Sequence, residues 1–375
     1  MSQNLSRRRL LAGLASACAT APFARAQNKP SMSQIAGAEP LRVAFVYVTP
    51  VGATGWTAQH EQGRQHMQRV LGDAVRSRFV ANVPEGPDAE RVIRELAQQG
   101  EQVIFTTSFG YMESVLRVAR DYPKVRFEQC SGYKLAANVG GYNGRFYQGR
   151  YLAGMVAGHM RASLGHAVVA GMVASFPIPE VVQGINAFTL GMRAVDPDAR
   201  MKVVWVNSWY DPGREADAAR ALVAQGAKVL THHSNSPAAV QVAEELGCWA
   251  VGYCSDEAQY GPHAQLTAVT LHWGDFYART VREVLGGRWR PSNVWGGMDQ
   301  GFVRLAPFLP AVPEDAQRQV LARERDIEQG RFHPFSGRIF DNHGRVMLDG
   351  GTMPDAQIQS MDRYVMGVDG DLPHA

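Results

Sequence analysis

Two successive sets of β-turn-α units, an α/β fold with helices covering parallel sheets, are predicted by three features of this chain. Short apolar runs alternate with longer segments of mixed polar and apolar spacing, which is the rhythm of strand followed by surface helix. The apolar runs, such as Gln102-Val103-Ile104-Phe105-Thr106, lack strict alternation, as expected of strands covered on both faces. The rhythm restarts near residue 167, and the chain is long enough for two cores.

The first unit begins at Leu41, where Leu41-Arg42-Val43-Ala44-Phe45-Val46-Tyr47-Val48 reads as a strand and residues 57–71 as a surface helix. Similar units follow at 75–99, 102–120 and 125–162, the last with a possible extra strand around 135–139 and a helix from about Arg145. The second set opens with Ala167-Val168-Val169-Ala170-Gly171-Met172 and a helix after Pro179. Lys202-Val203-Val204-Trp205-Val206 then leads into a helix over 214–225, which Asp211-Pro212 is suited to open by capping free amides and tolerating the first helical position. Ala227-Lys228-Val229-Leu230 and Cys248-Trp249-Ala250-Val251-Gly252 supply further strands. Beyond Trp289 come short strands, a charged helix over 313–329 and a tail rich in Gly, Asp and Pro.

Ahead of the fold, Ser6-Arg7-Arg8-Arg9-Leu10-Leu11, a short apolar run and Ala24-Arg25-Ala26 read as a twin-arginine export signal over residues 1–26, with 27–40 a flexible lead. The apolar run from Leu10 to Thr20 is short of the roughly 20 residues a membrane span needs. The chain is therefore expected in the periplasm, soluble after cleavage, with acylation at Cys18 and membrane anchoring as the alternative. The signal holds four arginines and no acidic residue, so its removal takes the formal charge from +3 to −1. That near-neutrality gives no general electrostatic reason to bind nucleic acid or an anionic membrane. Cys130, Cys248 and Cys254 remain, too few for a disulfide-built scaffold, although Cys248 and Cys254 are a conceivable pair.

Ligand-binding residues of open α/β sheets gather beyond the carboxyl ends of strands. Four such loops carry aromatic or polar groups: Thr49 to Thr57, Thr107 to Tyr111, Asn207 to Asp211, and Tyr253 to Asp256. Trp56 offers a broad π face, with Phe109 or Trp209 as a second wall, and two such walls select a flat heterocycle whose N–H groups Asp256 is placed to accept. Tyr111, Asn207 and Tyr210 are further candidates from the same loops. No dinucleotide fingerprint or phosphate loop is present, and no cofactor or metal is expected. Catalysis is the rival class, for which His60, Glu61, His232, His233, His263 and His272 are available. No His-Glu-x-x-His array, Cys-x-x-Cys motif or serine elbow accompanies them, and adjacent strand residues such as His232 and His233 point to opposite faces.

Gln148-Gly149-Arg150-Tyr151-Leu152-Ala153-Gly154, Val181-Val182-Gln183-Gly184-Ile185-Asn186-Ala187-Phe188 and Asn207-Ser208-Trp209-Tyr210-Asp211-Pro212 occur in an order that resembles the basic membrane protein family of periplasmic substrate-binding proteins for ABC transporters. That family includes purine-nucleoside receptors, and the resemblance extends from Arg42 to Gly367-Val368. It implies the type I periplasmic-binding-protein fold: two Rossmann-like lobes joined by a three-strand hinge around a ligand cleft, with an ABC permease and ATPase as partners. Residues 41–164 and 266–300 would then form one lobe and 165–265 with 301–375 the other. The resemblance also gives the stacking aromatic of the first ligand loop to Trp56 and the family's later aspartate to Asp256. The family's lysine has no counterpart in Leu266-Thr267-Ala268-Val269-Thr270-Leu271-His272, which favours a free purine such as adenine, or a similar nitrogen heterocycle, over a nucleoside. A purine nucleoside and, in the enzyme class, a purine-converting hydrolase are the alternatives.

Overall fold

A computed structural model of the protein describes residues 39–373; the segment expected to be an export signal, most of the lead and Cys18 lie outside them. From Pro40 onward the chain forms one compact body. It opens with β1 (Leu41–Val46), α1 (Trp56–Leu71), β2 (Val75–Val80), α2 (Pro87–Gln98), β3 (Val103–Thr106), α3 (Met112–Asp121), β4 (Arg126–Cys130) and β5 (Val139–Gly144). Then follow α4 (Phe146–His159), α5 (Arg161–Leu164), β6 (Val169–Ala174), α6 (Pro179–Arg193), β7 (Arg200–Trp205), α7 (Pro212–Ala224), β8 (Val229–His233), α8 (Ala238–Leu246), β9 (Trp249–Cys254) and β10 (Gln265–Leu271). The last part comprises α9 (Gly274–Leu285), β11 (Asn293–Gly296), β12 (Val303–Leu305), α10 (Glu314–Glu328), β13 (Ser336–Phe340), β14 (Val346–Thr352) and α11 (Asp355–Gln359).

Two six-stranded sheets result. The first has the order β11-β5-β4-β3-β1-β2 and the second β12-β10-β9-β8-β6-β7. The paired strands are parallel throughout except β12, which runs antiparallel to β10 at the edge of the second sheet. Strands β3 and β10 are buried at every position, which explains why their sequences do not alternate. The predicted cap is present, since Asp211 Oδ1 accepts from the Arg214 amide at 3.0 Å to open α7. The strand expected at 135–139 lies slightly later, as β5, with only an isolated bridge between Ala136 and Val139 before it.

The chain passes between the sheets three times: after β5, after β10 and after β11. These crossings run side by side, for the Arg145 amide donates to the Gly296 carbonyl (2.7 Å) and the His272 amide to the Phe302 carbonyl (2.9 Å). Two boundaries read from the sequence need correction. The first crossing falls at residues 144–146 rather than at 164, because α4 packs on α6, β10 and β12 of the second lobe. Its glycines make that packing possible: a Cβ at Gly154 would collide with the Phe188 carbonyl of α6, and one at Gly191 of α6 would collide with the Tyr151 carbonyl. Residues 266–271, assigned from sequence to the first lobe, belong to β10, which lies beside β9 in the second sheet; only α9 and β11 return to the first. The tail is docked on the second lobe, where Gln183 of α6 donates to the Ile358 carbonyl at 2.8 Å and Met201 bridges to Val368. Cys130, Cys248 and Cys254 are free and buried, so the pairing of Cys248 with Cys254 is not made.

Candidate ligand cleft

Strand ends of both sheets converge on a cavity of about 460 Å³. Val48, Thr49, Trp56, Thr107, Ser108, Phe109 and Ser131 line it from the first lobe; Ile178, Glu180, Trp209, His233, Ser234, Asn235, Tyr253 and Cys254 line it from the second. Trp56, the first residue of α1, is anchored by its indole N–H, which donates to the Thr107 carbonyl at 2.8 Å. Its ring meets Phe146 and Trp273 in T-shaped contacts with ring centroids 5.9 and 5.6 Å apart. Trp209 is backed by Phe176, 5.0 Å away between centroids, and its indole nitrogen is buried with no partner among the described residues.

Three of the seven residues singled out from sequence, Trp56, Phe109 and Trp209, therefore share the cavity. The other four do not line it. Tyr111 is fully buried in the core of the first lobe, where its hydroxyl donates to the Val83 carbonyl at 2.5 Å. Asn207 and Tyr210 are exposed, Asn207 occupying a left-handed turn with φ of 51°. Asp256 is exposed and closes its own loop, its Oδ1 accepting from the Ala258 amide (3.1 Å) and from Gln265 Nε2 (2.7 Å). A short aspartate after a strand caps local amides readily, and here that local use prevails.

The carboxylate in the cleft is Glu180, from the first turn of α6. Its Oε2 accepts from Ser131 Oγ (2.8 Å) and Asn143 Nδ2 (2.7 Å), both of the first lobe. Its Oε1 faces His233 Nε2 at 3.8 Å and has no hydrogen bond among the described residues. Burial alone would raise the Glu180 carboxyl, but neighbouring His233 and the Asn143 and Ser131 donors outweigh it and hold the group below the ordinary carboxylate range. Burial pushes His233 down to about 4, so it is neutral near pH 7. Behind it the Arg150 guanidinium lies 3.6 Å from the Tyr253 ring centroid and donates to Thr231 Oγ1 (3.0 Å) and the His232 carbonyl (2.6 Å). Glu180 escaped the sequence reading because it belongs to a helix start after β6, a strand end with no aromatic cluster. Proline followed by glutamate at a first helical turn was the available signal.

The lobes are joined directly across the cleft. Asn235 Oδ1 accepts from the Thr57 amide (3.1 Å) and its Nδ2 donates to Thr49 Oγ1 (2.8 Å). Ser255 Oγ accepts from the Gly55 amide (2.7 Å) and from Gln59 Nε2 (2.9 Å). Free amides at the start of α1 are thus capped by side chains of the opposite lobe. Gly55 permits the approach, with φ of 92° and with the Asn235 carbonyl oxygen 2.6 Å from where a Cβ would stand.

The histidines proposed for catalysis serve other ends. His232 Nε2 bonds Glu257 at 2.8 Å inside the second lobe, and Ser234 Oγ, 3.4 Å from His232 Nδ1, donates to Glu215 at 2.7 Å. That serine proton is committed to a carboxylate, so the trio is not arranged to generate a nucleophile. His60 stacks on Trp273 with centroids 4.7 Å apart and is fully buried. Among the described residues, no group of three or more His, Cys, Asp and Glu side chains is placed to hold a metal, and no helix is long and apolar enough to cross a membrane.

Comparison with known proteins agrees with this architecture. The profile described as ABC transporter substrate-binding protein PnrA-like matches residues 41–332. A purine-binding protein of Brucella abortus is 46% identical over 336 residues, covering 89% of this chain and 95% of that protein. A putative ABC transporter glucose-binding protein of Haloferax volcanii is 36% identical, covering 89% of this chain and 82% of its own length. Among solved structures, an ABC transporter solute-binding protein of Aeropyrum pernix superposes with a TM-score of 0.69 at 18% identity, over 78% of this chain and 93% of that one. With both its sheets and its sequence accounted for in this way, the chain belongs to the PnrA-like family of ABC transporter substrate-binding proteins.

Proposed function

We propose that this protein, the periplasmic substrate-binding component of an ABC transporter, captures a free purine base such as adenine, or a closely related nitrogen heterocycle, for delivery to its permease and ATPase. The observation that carries the ligand assignment is a cavity whose walls include Trp56, Phe109 and Trp209 and whose carboxylate is Glu180. Aromatic faces favour a flat ring, and a carboxylate favours its N–H groups. The name of the Brucella abortus relative supports the same class. A pyranose, suggested by the name of the Haloferax volcanii relative, demands many hydroxyl partners. Thr49, Ser108, Ser131, Ser234 and Asn235 all spend their side chains on bonds within the protein, which favours the purine.

Calorimetry of ligand-stripped mature protein with adenine, guanine, hypoxanthine, xanthine, adenosine, guanosine and glucose tests the proposal. Stoichiometric binding of a base in preference to its nucleoside, with the base recovered unchanged, is the expected result. Binding of glucose alone would reject the purine, and tight nucleoside binding with weak base binding would reject the free base.

A further inference from the structure

We infer that Glu180 selects free purine bases over nucleosides by accepting the imidazole-ring N–H that a free base carries and a nucleoside has lost. The inference rests on the purine reading above and adds to it the residue and the ligand atom. Glu180 divides its two oxygens unequally: Oε2 is saturated by Ser131 and Asn143, whereas Oε1 has no hydrogen bond among the described residues. The side chain is only 14% exposed and its carboxyl is held ionised, so Oε1 is an acceptor in a site where an unmet charge is costly. One free acceptor matches one N–H. In adenine the pyrimidine-ring edge sets the amino donor beside the N1 acceptor and is met by a mixed pair of protein groups, which a carboxylate with one committed oxygen does not supply.

Glu180 also stands at a junction of two spaces. It lines both the aromatic cavity and an adjoining cavity of about 1270 Å³. A base lying against Trp56 and presenting its imidazole edge to Glu180 would sit where these two spaces meet. A ribose or a methyl on the nitrogen that faces Glu180 removes the proton Oε1 would accept, and that loss is the proposed ground for excluding the nucleoside. A purine has one imidazole proton shared between N7 and N9, and a methyl group on either nitrogen removes it.

Calorimetry with adenine and 9-methyladenine on ligand-stripped wild type and on Glu180→Gln separates these effects. Wild type is expected to bind 9-methyladenine at least tenfold more weakly than adenine. Glu180→Gln, which keeps the shape and can still accept from Ser131 and Asn143, is expected to lose at least tenfold for adenine and less than threefold for 9-methyladenine. Equal losses for both ligands, or no loss for either, would overturn the inference while leaving the purine assignment standing. If Glu180→Gln does not fold, wild type decides alone, because undiminished binding of 9-methyladenine overturns the inference. Absence of binding to any purine by wild type overturns both this inference and the function on which it rests.

Discussion

At the scale of single residues, the cleft separates side chains that resemble each other in sequence. Trp56 and Asp256 were paired as stacking face and polar anchor, yet only Trp56 lines the cavity. Trp56→Ala removes a ring that Phe146, Trp273 and the Thr107 carbonyl hold in place, leaving a gap in the cavity wall. A loss of about 2 kcal/mol in binding, roughly thirtyfold in affinity, is expected by titration calorimetry with the cognate base. Asp256→Asn should leave affinity within about twofold, since Asn retains the acceptor that serves the Ala258 amide and Gln265. A large loss from Asp256→Asn would return that residue to the site. The difference between Asp256 and Glu180 was not legible in the sequence. Both follow a strand end, and only the fold decides which one turns to its own loop and which meets donors from the opposite lobe.

Elements show how burial and charge are balanced inside each lobe. Glu128 on β4 is almost fully buried and accepts from the Trp289 indole N–H at 2.7 Å. Burial pushes its carboxyl up to about 8, against the lowering effect of that hydrogen bond. The folded chain therefore keeps a proton that the unfolded chain releases near the ordinary value of 4.5. The stabilising contribution is fully present below that value and is lost as pH rises toward about 8, at about 1.4 kcal/mol per unit. Glu128→Gln keeps an acceptor for Trp289 and cannot ionise, so its thermal midpoint should gain on wild type as pH rises from 5 to 8. A constant offset between the two proteins across that range would refute the assignment. The α4 and α6 pair makes a second prediction. Gly154→Ala places a methyl against the Phe188 carbonyl, and overpacking of this kind costs about 1–3 kcal/mol, measurable by denaturant unfolding of the ligand-free protein. The strands and helices of both sheets were readable from periodicity because each unit repeats the same local pattern. The membership of α4 and β10 was not, since a helix or strand carries the same pattern whichever lobe it covers, and the glycines of α4 only acquire meaning beside those of α6.

At the scale of the whole molecule, two lobes joined by three adjacent crossings meet again across the cleft through side chains at their strand ends. The contacts across the cleft fall into two groups. Ser131 and Asn143 reach from the first lobe to Glu180, while Asn235 and Ser255 reach from the second lobe to the start of α1. Both groups form only when the strand ends converge, so they bias the protein toward closure even before the ligand adds its own contacts to both walls. Caps of this type contribute about 1 kcal/mol each, and water satisfies the same amides in an open form, which leaves the closed state only modestly favoured without ligand. Asn235→Ala removes two bonds at once, to the Thr57 amide and to Thr49 Oγ1, without touching the ring walls supplied by Trp56, Phe109 and Trp209. Its ligand-free scattering profile should therefore show a larger radius of gyration than that of ligand-free wild type. Saturating base should bring the two proteins to the same compact profile, with the variant needing about fivefold to tenfold more ligand because part of the binding energy goes into closure. If the variant is as compact as wild type without ligand and binds with unchanged affinity, the interlobe caps are incidental to closure, and the equilibrium is set by the ligand contacts and the crossings alone.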